Sequence, residues 1–320
     1  MKKLLAVILV LILTFSLAAC GTSGGQSGGN NQTPSASNEN DSSSPASDDN
    51  ESPEEDENSA TSDNDNPDYS LADEVIIDNE DLAFTITSVS ASRSGDVSFK
   101  VLGVNRTDLN LMFSWDNVSV NGYMIDPFFA TTIAADKSSN IDISFSNRNL
   151  ENANITSIDE LVFTLRVYDS DDWSAEKLVE SEFIVYPTGL NASAIIVPPR
   201  NTTANEQVIV DNENAVFIIL SAENDPIWGY TLLCYLENKT TDVLMFSWDD
   251  VSVNGFMLDP FFAREVQPGK RAYSSISFSE SRFEENGISD VEEIEFKLKI
   301  YDSNNWSAPN LLEEIFTFIP

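Results

Sequence analysis

One long segment of this 320-residue chain occurs twice. Residues 75–187 align with residues 208–320 at a constant offset of 133 positions and without a gap, and 47 of the 113 aligned pairs are identical. The best-matched stretch, FSWDNVSVNGYMIDPFFA at 113–130, returns at 246–263 with three substitutions. Because a segment of this size is long enough to form a domain with its own core, the chain is predicted to contain two copies of one fold.

The hydrophobic residues of each copy recur at every second position. Phe163, Leu165 and Val167 are separated by single residues of higher polarity, and the second copy repeats this pattern over 296–300. Such alternation is typical of half-buried antiparallel strands, and turn residues divide each copy into roughly seven to nine of them. We therefore predict an all-β fold of two tandem antiparallel β-sandwiches.

The best-matched stretch also has the composition of a β-hairpin. Asn121-Gly122 in the first copy and Asn254-Gly255 in the second each separate two alternating runs. Asn-Gly is a strong short signal for a type I′ turn, because both turn residues need a positive φ. One short helix is predicted in the chain, at 281–286, with its first residue as the N-cap.

The N-terminal segment has the form of an export signal. Two lysines are followed by the apolar run 4–19, which is too short to span a bilayer as a helix. The sequence LAACG at 17–21 resembles the lipobox of bacterial lipoproteins, in which the chain is cut before the cysteine and the cysteine sulfur is then lipidated. The resemblance implies a signal peptide at 1–19 and a lipid anchor on Cys20.

Composition sets the remaining boundaries. After the lipidated cysteine, residues 20–71 are rich in Ser, Gly, Asn and Asp and contain twelve acidic residues but no Lys or Arg. Such a segment cannot bury enough apolar surface to fold, so we predict a disordered acidic linker. The first β-sandwich repeat is assigned to 72–187, a second linker to 188–205, and the second repeat to 206–320.

Charge and residue usage exclude several classes of function. The formal net charge of −36 argues against any nucleic-acid partner. The chain has no histidine, which removes His-based catalytic triads and histidine metal ligands. Besides Cys20 the only cysteine is Cys234, whose place in an alternating run predicts a small buried hydrophobic residue. We predict no cofactor and expect that the protein is not an enzyme.

Three segments of the second copy resemble a module of bacterial surface lipoproteins. They are NKTTD at 238–242, FSWDDVSVNGFMLDPFFA at 246–263 and PGKRAYSSISFS at 268–279. The module is an immunoglobulin-like domain of unknown function that follows a signal and a low-complexity stalk. The resemblance covers both repeats and implies immunoglobulin-like sandwiches at the extracytoplasmic face of a bacterial cell membrane. It supplies no catalytic residues, and the first copy departs from it at 134–137, where the Pro-Gly turn is missing.

A calcium site is one open interpretation of the acidic loop in the first copy. Asp169, Asp171 and Asp172 offer several carboxylate oxygens on one loop, and calcium takes six to eight oxygen ligands. The second copy has asparagine at 304 and 305, which keeps the turn-forming tendency but removes two negative charges. These three aspartates are therefore weak candidates for a metal site.

Aromatic residues near the loops are the second set of candidates. Trp173 and Trp306 follow the acidic loop and its repeat, and a Phe-Phe pair follows each hairpin. Such rings either stack on sugars at the surface or close the ends of a sandwich. For Trp173 and Trp306 the sequence favours rings that close the sandwich ends, with the surface position as the alternative. Trp115 and Trp248 lie on the alternating apolar face and are predicted to be core residues.

The function expected from these observations is non-catalytic binding. We expect a membrane-anchored extracytoplasmic lipoprotein that presents two β-sandwich modules to a protein or a cell-wall glycan, with Cys20 as its link to the membrane. The alternatives are a carbohydrate-binding module that uses Trp173 and Trp306, a calcium-stabilised adhesion module, and a hydrolase. A hydrolase would need two of the repeated carboxylates to converge in one cleft.

Overall fold

The structure is a computed structural model that describes residues 67–320. The predicted signal peptide at 1–19, the lipidation site Cys20 and the linker up to residue 66 lie outside the described residues. Within 67–320, no helix is both long enough and apolar enough to cross a membrane.

The first repeat consists of nine strands and one short helix. Its elements are β1 (Glu74–Asp78), β2 (Leu82–Ala91), β3 (Val97–Asn105), β4 (Leu111–Val120), β5 (Tyr123–Met124), β6 (Ala130–Ile133), β7 (Ser138–Phe145), α1 (Asn147–Asn152), β8 (Leu161–Asp169) and β9 (Val179–Val185). One sheet has the order β1-β2-β3-β7, and the other has the order β5-β4-β8-β9 with β6 also paired to β4.

The second repeat has the same elements in the same order. They are β10 (Gln207–Asp211), β11 (Ala215–Asp225), β12 (Gly229–Asn238), β13 (Leu244–Val253), β14 (Phe256–Met257), β15 (Ala263–Val266), β16 (Arg271–Phe278), α2 (Glu280–Glu285), β17 (Ile294–Asp302) and β18 (Leu312–Phe318). A short 3₁₀ turn at Ala192–Ala194 lies in the segment between the repeats. Each repeat therefore has nine strands, within the seven to nine that the alternation predicted.

The strand order is that of an immunoglobulin-like sandwich. In the first repeat β3 lies between β2 and β7, whereas β8 lies between β4 and β9. This reproduces the A-B-E and C-F-G pairings of the immunoglobulin fold, with β4 as strand C. Strand C of that fold carries a buried tryptophan, and Trp115 on β4 and Trp248 on β13 are both buried. The predicted fold of two tandem immunoglobulin-like sandwiches is confirmed.

Side-chain alternation places the core between the two sheets of each repeat. Phe163, Leu165 and Val167 of β8 are all buried, and Cys234 of β12 is fully buried. Burial raises the pKa of the Cys234 thiol, so it remains an unreactive apolar group. The predicted hairpin turns are also confirmed, since Asn121 has φ +47° and Gly122 has φ +85°.

The sandwiches are joined in a way that the repeat pattern did not predict. β5 of the first repeat pairs in parallel with β16 of the second, with Tyr123 opposite Arg271. The Arg271 backbone N–H donates to the Gly122 carbonyl over 3.0 Å. One sheet of the first repeat thus continues into one sheet of the second, forming a single nine-stranded sheet.

Two sequence-based predictions need correction. The N-cap of the predicted helix is Ser279, two residues before the predicted Ser281, and the helix spans Glu280–Glu285. The matching helix α1 was not predicted at all. Short helices of this kind contain too few residues to show a period of 3.6. Tyr69 and Leu71, assigned to the disordered linker 20–71, instead pack against the first core. Two apolar side chains are too few to outweigh the surrounding polar composition in a sequence-based prediction.

Candidate functional site

The phenylalanine pair after each hairpin has one ring in the core and one in solvent. Phe129 and Phe262 are buried, whereas Phe128 and Phe261 are each 89% exposed. The Phe128 backbone has φ +54° and the Phe261 backbone has φ +51°. A bulky residue rarely adopts this left-handed conformation, and strain of this kind clusters at functional sites. The fold therefore holds one exposed aromatic ring at the same position in both repeats.

The preceding aspartate fixes this conformation. The Asp126 carboxylate accepts the Phe128 backbone N–H over 2.7 Å, and the Asp259 carboxylate accepts the Phe261 backbone N–H over 2.8 Å. An Asp side chain that bonds the backbone two residues further on makes a tight turn of its own. The repeated Asp-Pro-Phe-Phe sequence thus orients the exposed ring.

Trp173 and Trp306 are also on the surface. Trp173 is 86% exposed and Trp306 is 78% exposed, so neither closes the end of a sandwich core. In the second repeat the Tyr301 ring lies 5.5 Å from the Trp306 ring, centroid to centroid, and supports it from one side. The core position that the sequence favoured for both tryptophans is therefore wrong, because their loops hold the rings outside the sandwich, and the surface alternative agrees with the geometry.

Phe261 and Trp306 line the same groove in the second repeat. The groove has a volume of about 450 Å³ and is formed by β13, β17, the loop after the hairpin and the loop after β17. Its polar lining consists of Ser247, Asp249, Asp259, Lys299, Asn305 and Asn310. Two exposed rings and several hydrogen-bonding groups therefore face one concave surface, a combination found in small-ligand sites.

An ion pair lies at the floor of this groove. The Lys299 ammonium group contacts the Asp249 carboxylate and lies 4.0 Å from the Glu313 carboxylate. Its hydrogen bond with Asp249 raises the pKa of Lys299. Besides this ion pair and the Asp259 carboxylate, the groups that a ligand would meet are neutral amides, hydroxyls and rings.

The first repeat carries a more highly charged version of the same surface. Arg166, at the position of Lys299, bonds Asp116 and stacks over the Tyr168 ring at 5.5 Å. The residue equivalent to Asn310 is Lys177, which pairs with Glu180. The two repeats therefore share the exposed rings on this surface but differ in its charge.

The candidate metal ligands Asp169, Asp171 and Asp172 are engaged in turn formation. Asp169 accepts the Asp171 backbone N–H over 2.9 Å, and Asp172 accepts the backbone and hydroxyl hydrogens of Ser174. These bonds from Ser174 lower the pKa of Asp172. Within residues 67–320 no three acidic or cysteine side chains converge in a way that could hold a metal ion.

Removal of calcium is expected to leave the fold unchanged. Because the carboxylates of the acidic loop bond their own turn, the melting temperature in excess EDTA should equal that in millimolar calcium. Differential scanning calorimetry of the protein under both conditions measures this. A melting temperature lowered by several degrees in EDTA would show that calcium contributes to stability.

One further repeated acidic residue forms an ion pair in both repeats. Asp78 pairs with Arg106 in the first repeat, and Asp211 pairs with Lys239 in the second.

The chain matches no protein-family model, and no curated protein is significantly similar to it. The site must therefore be interpreted from its own geometry.

Sequence reasoning identified the tryptophans but missed part of the site. The sequence did not indicate which ring of the Phe261-Phe262 pair is exposed and which is buried. It also did not predict that Asn310 and Trp306 line the same groove. The sequence signal for the exposed ring was Asp259-Pro260, directly before the two phenylalanines. An aspartate at this position can form an Asx turn, in which its carboxylate accepts the backbone N–H two residues later.

Proposed function

We propose that this protein is a non-catalytic binding protein and that the groove beside Trp306 binds a saccharide chain. The observation that carries the proposal is the placement of two exposed aromatic rings, Phe261 and Trp306, along one groove with amide and hydroxyl groups between them. The same pair of exposed rings occurs in the first repeat as Phe128 and Trp173.

The chemistry of sugars supports this ligand class. A pyranose ring has apolar C–H faces that pack on flat aromatic rings, and hydroxyl edges that need hydrogen-bond partners. Exposed tryptophan and phenylalanine supply the first kind of contact. Asn305 accepts the Ser307 hydroxyl and Asn310 donates to Glu313, and the remaining donor and acceptor capacity of these two side-chain amides suits a hydroxyl that both donates and accepts.

The engagement of the carboxylates favours binding over hydrolysis. Asp249 is paired with Lys299, and Asp259 accepts the Phe261 backbone N–H. Each carboxylate that lines the groove thus already has a partner that holds its charge or orientation. A glycosidase would instead need one carboxyl with a raised pKa to act as the acid.

The sequence features outside the described residues are consistent with this role. The lipobox-like sequence at Cys20 and the acidic segment that follows it place the sandwiches on a membrane-tethered stalk in this proposal. The tether would bring the grooves to the cell-wall glycan beyond the membrane.

Trp306→Ala is expected to weaken binding of soluble peptidoglycan fragments at least tenfold, because the saccharide loses its main stacking surface. Isothermal titration with fragments of increasing length measures the effect. Trp228→Ala is the matched control, since Trp228 is 67% exposed but lies at the tip of the β11–β12 hairpin, away from the groove. Both variants should retain the wild-type melting temperature to within a few degrees.

Two results would contradict this proposal. Equal loss of affinity in Trp306→Ala and Trp228→Ala would show that the contact is a nonspecific one with any exposed ring. Absence of binding to the fragments and to other soluble glycans at millimolar concentration would remove the saccharide as ligand.

A further inference from the structure

A second cavity opens at the other end of the second sandwich. It has a volume of about 540 Å³ and lies between the start of β10, the ends of β11 and β18, and the loop before β17. The Trp306 groove, in contrast, lies towards the end of β17. The apolar lining of this cavity, named here the basal cavity, consists of Leu220, Ala222, Tyr230, Phe283, Val291 and Phe318.

In the first repeat a segment of the chain lies at the equivalent place. The Tyr69 hydroxyl accepts the Ile158 backbone N–H over 3.2 Å. The Pro187 carbonyl accepts the backbone N–H groups of Ser70 and Leu71 over 2.9 and 3.1 Å. The side chains of Tyr69 and Leu71 pack against the core.

The repeat offset shows that these contacts fall on the basal cavity. Ile158 corresponds to Val291, and Pro187 corresponds to Pro320. Both Val291 and Pro320 line the basal cavity. The Tyr69–Leu71 segment therefore acts as a plug in the first repeat, at a position that is open in the second.

The second repeat lacks the side chains of this plug. The offset places Thr202 where the first repeat has Tyr69, and Ala204 where it has Leu71. The backbone also takes another path, because Glu206 accepts the Thr203 backbone N–H and forms a two-pronged ion pair with Arg200 at 2.7 Å.

We propose that the basal cavity binds an extended peptide of a partner protein, with an aromatic residue two positions before an aliphatic one. The peptide would take the place that Tyr69 and Leu71 occupy in the first repeat. Its aromatic hydroxyl would accept the Val291 backbone N–H, and its backbone N–H groups would donate to the Pro320 carbonyl oxygen, as Ser70 and Leu71 do to the Pro187 carbonyl. This site is separate from the Trp306 groove and does not depend on saccharide binding.

The chain itself supplies the probe for this site. A synthetic peptide with the sequence of residues 66–73, NPDYSLAD, should bind the full-length protein, whereas the same peptide with alanine at the tyrosine and leucine positions should not. Because Ala204 and Ala222 both line the cavity, the double variant Ala204→Leu/Ala222→Leu should fill it and weaken peptide binding at least tenfold. It should also raise the melting temperature, because new apolar surface is buried.

Fluorescence anisotropy of the labelled peptide distinguishes the outcomes. Binding to wild type that the double variant loses supports the proposal. Equal binding to wild type and double variant places the peptide elsewhere and overturns it, as does absence of binding at millimolar peptide. If N-acetyltyrosinamide competes as well as the whole peptide, the occupant is a small aromatic molecule and the peptide class is wrong.

Discussion

Trp248→Ala is expected to lower the free energy of unfolding of the second sandwich by about 3–5 kcal/mol, the cost of deleting a large buried aromatic side chain. The Trp248 ring stacks on the Phe296 ring with centroids 3.8 Å apart and also meets the Phe262 ring edge-on at 5.9 Å. Alanine would leave a cavity between the sheets that neighbouring rings cannot fill without leaving their own contacts. Because small domains have a stability of only about 5–15 kcal/mol, this single change removes a large part of it. Urea denaturation followed by circular dichroism measures the loss.

Two further variants separate burial from aromatic character. Trp306→Ala removes the same type of side chain from the surface and should change stability by less than about 0.5 kcal/mol. Trp248→Phe should lower the free energy of unfolding much less than Trp248→Ala, because an aromatic ring remains in the core. The indole N–H that it removes is buried without a hydrogen-bond partner, so its loss breaks no hydrogen bond. If Trp306→Ala destabilised the protein as much as Trp248→Ala, the assignment of these two rings to surface and core would be wrong.

The framework of this fold could be predicted from the sequence because its signals are local. Alternation along β8 and β17 marks strands with one buried face, and Asn-Gly fixes the turn through its need for positive φ. The repeat doubles each signal, since an element predicted weakly in one copy is supported by the other. The buried positions of Trp115 and Trp248 follow directly, because both lie in register with apolar neighbours on one face.

The site was less predictable because it lies where alternation ends. Trp306 belongs to a loop, and no periodic pattern says whether a loop side chain points inward or outward. The exposure of Phe261 depends on a left-handed backbone conformation that sequence rules rarely assign to phenylalanine. The basal cavity could not be predicted either, because it depends on the packing of Tyr69 and Leu71 in the first repeat and on its absence at the equivalent positions of the second.

The junction between the repeats did have a signal in the sequence. Lys100 and Asn140 of the first repeat correspond to Leu233 and Tyr273 of the second, so an exposed polar face has become apolar and aromatic in one copy alone. Leu233 and Tyr273 pack against the apolar cluster that includes the first core. When a surface is polar in one repeat and apolar in the other, the apolar surface is expected to be covered by a contact that only its own repeat makes.

Tyr123→Ala is expected to uncouple the two sandwiches, because Tyr123 is central to this junction. Its side chain is 1% exposed, and its ring stacks on the Tyr273 ring with centroids 5.9 Å apart. The Tyr123 hydroxyl donates to the Pro198 carbonyl over 2.9 Å. The Arg271 guanidinium lies over the Tyr123 ring, 5.7 Å from its centroid. Loss of a buried ring costs about 3 kcal/mol or more. The two repeats of the variant should then unfold in two separate transitions, whereas those of the wild type should unfold closer together. The radius of gyration of the variant from small-angle scattering should be larger than that of the wild type.

The second repeat provides the matched control for this prediction. Phe256 has the position of Tyr123 but is 45% exposed, because the β14 edge is not paired with a further sheet within residues 67–320. Phe256→Ala should therefore cost less than about 1 kcal/mol and leave the radius of gyration unchanged. Equal effects of the two substitutions would mean that the hairpin stabilises each sandwich internally and that the parallel pairing of β5 with β16 does not hold the repeats together. Under the proposed saccharide binding, a junction held by this pairing would fix the spacing between the exposed rings of the two repeats, and a glycan long enough to reach both would bind with an avidity that a flexible link would reduce.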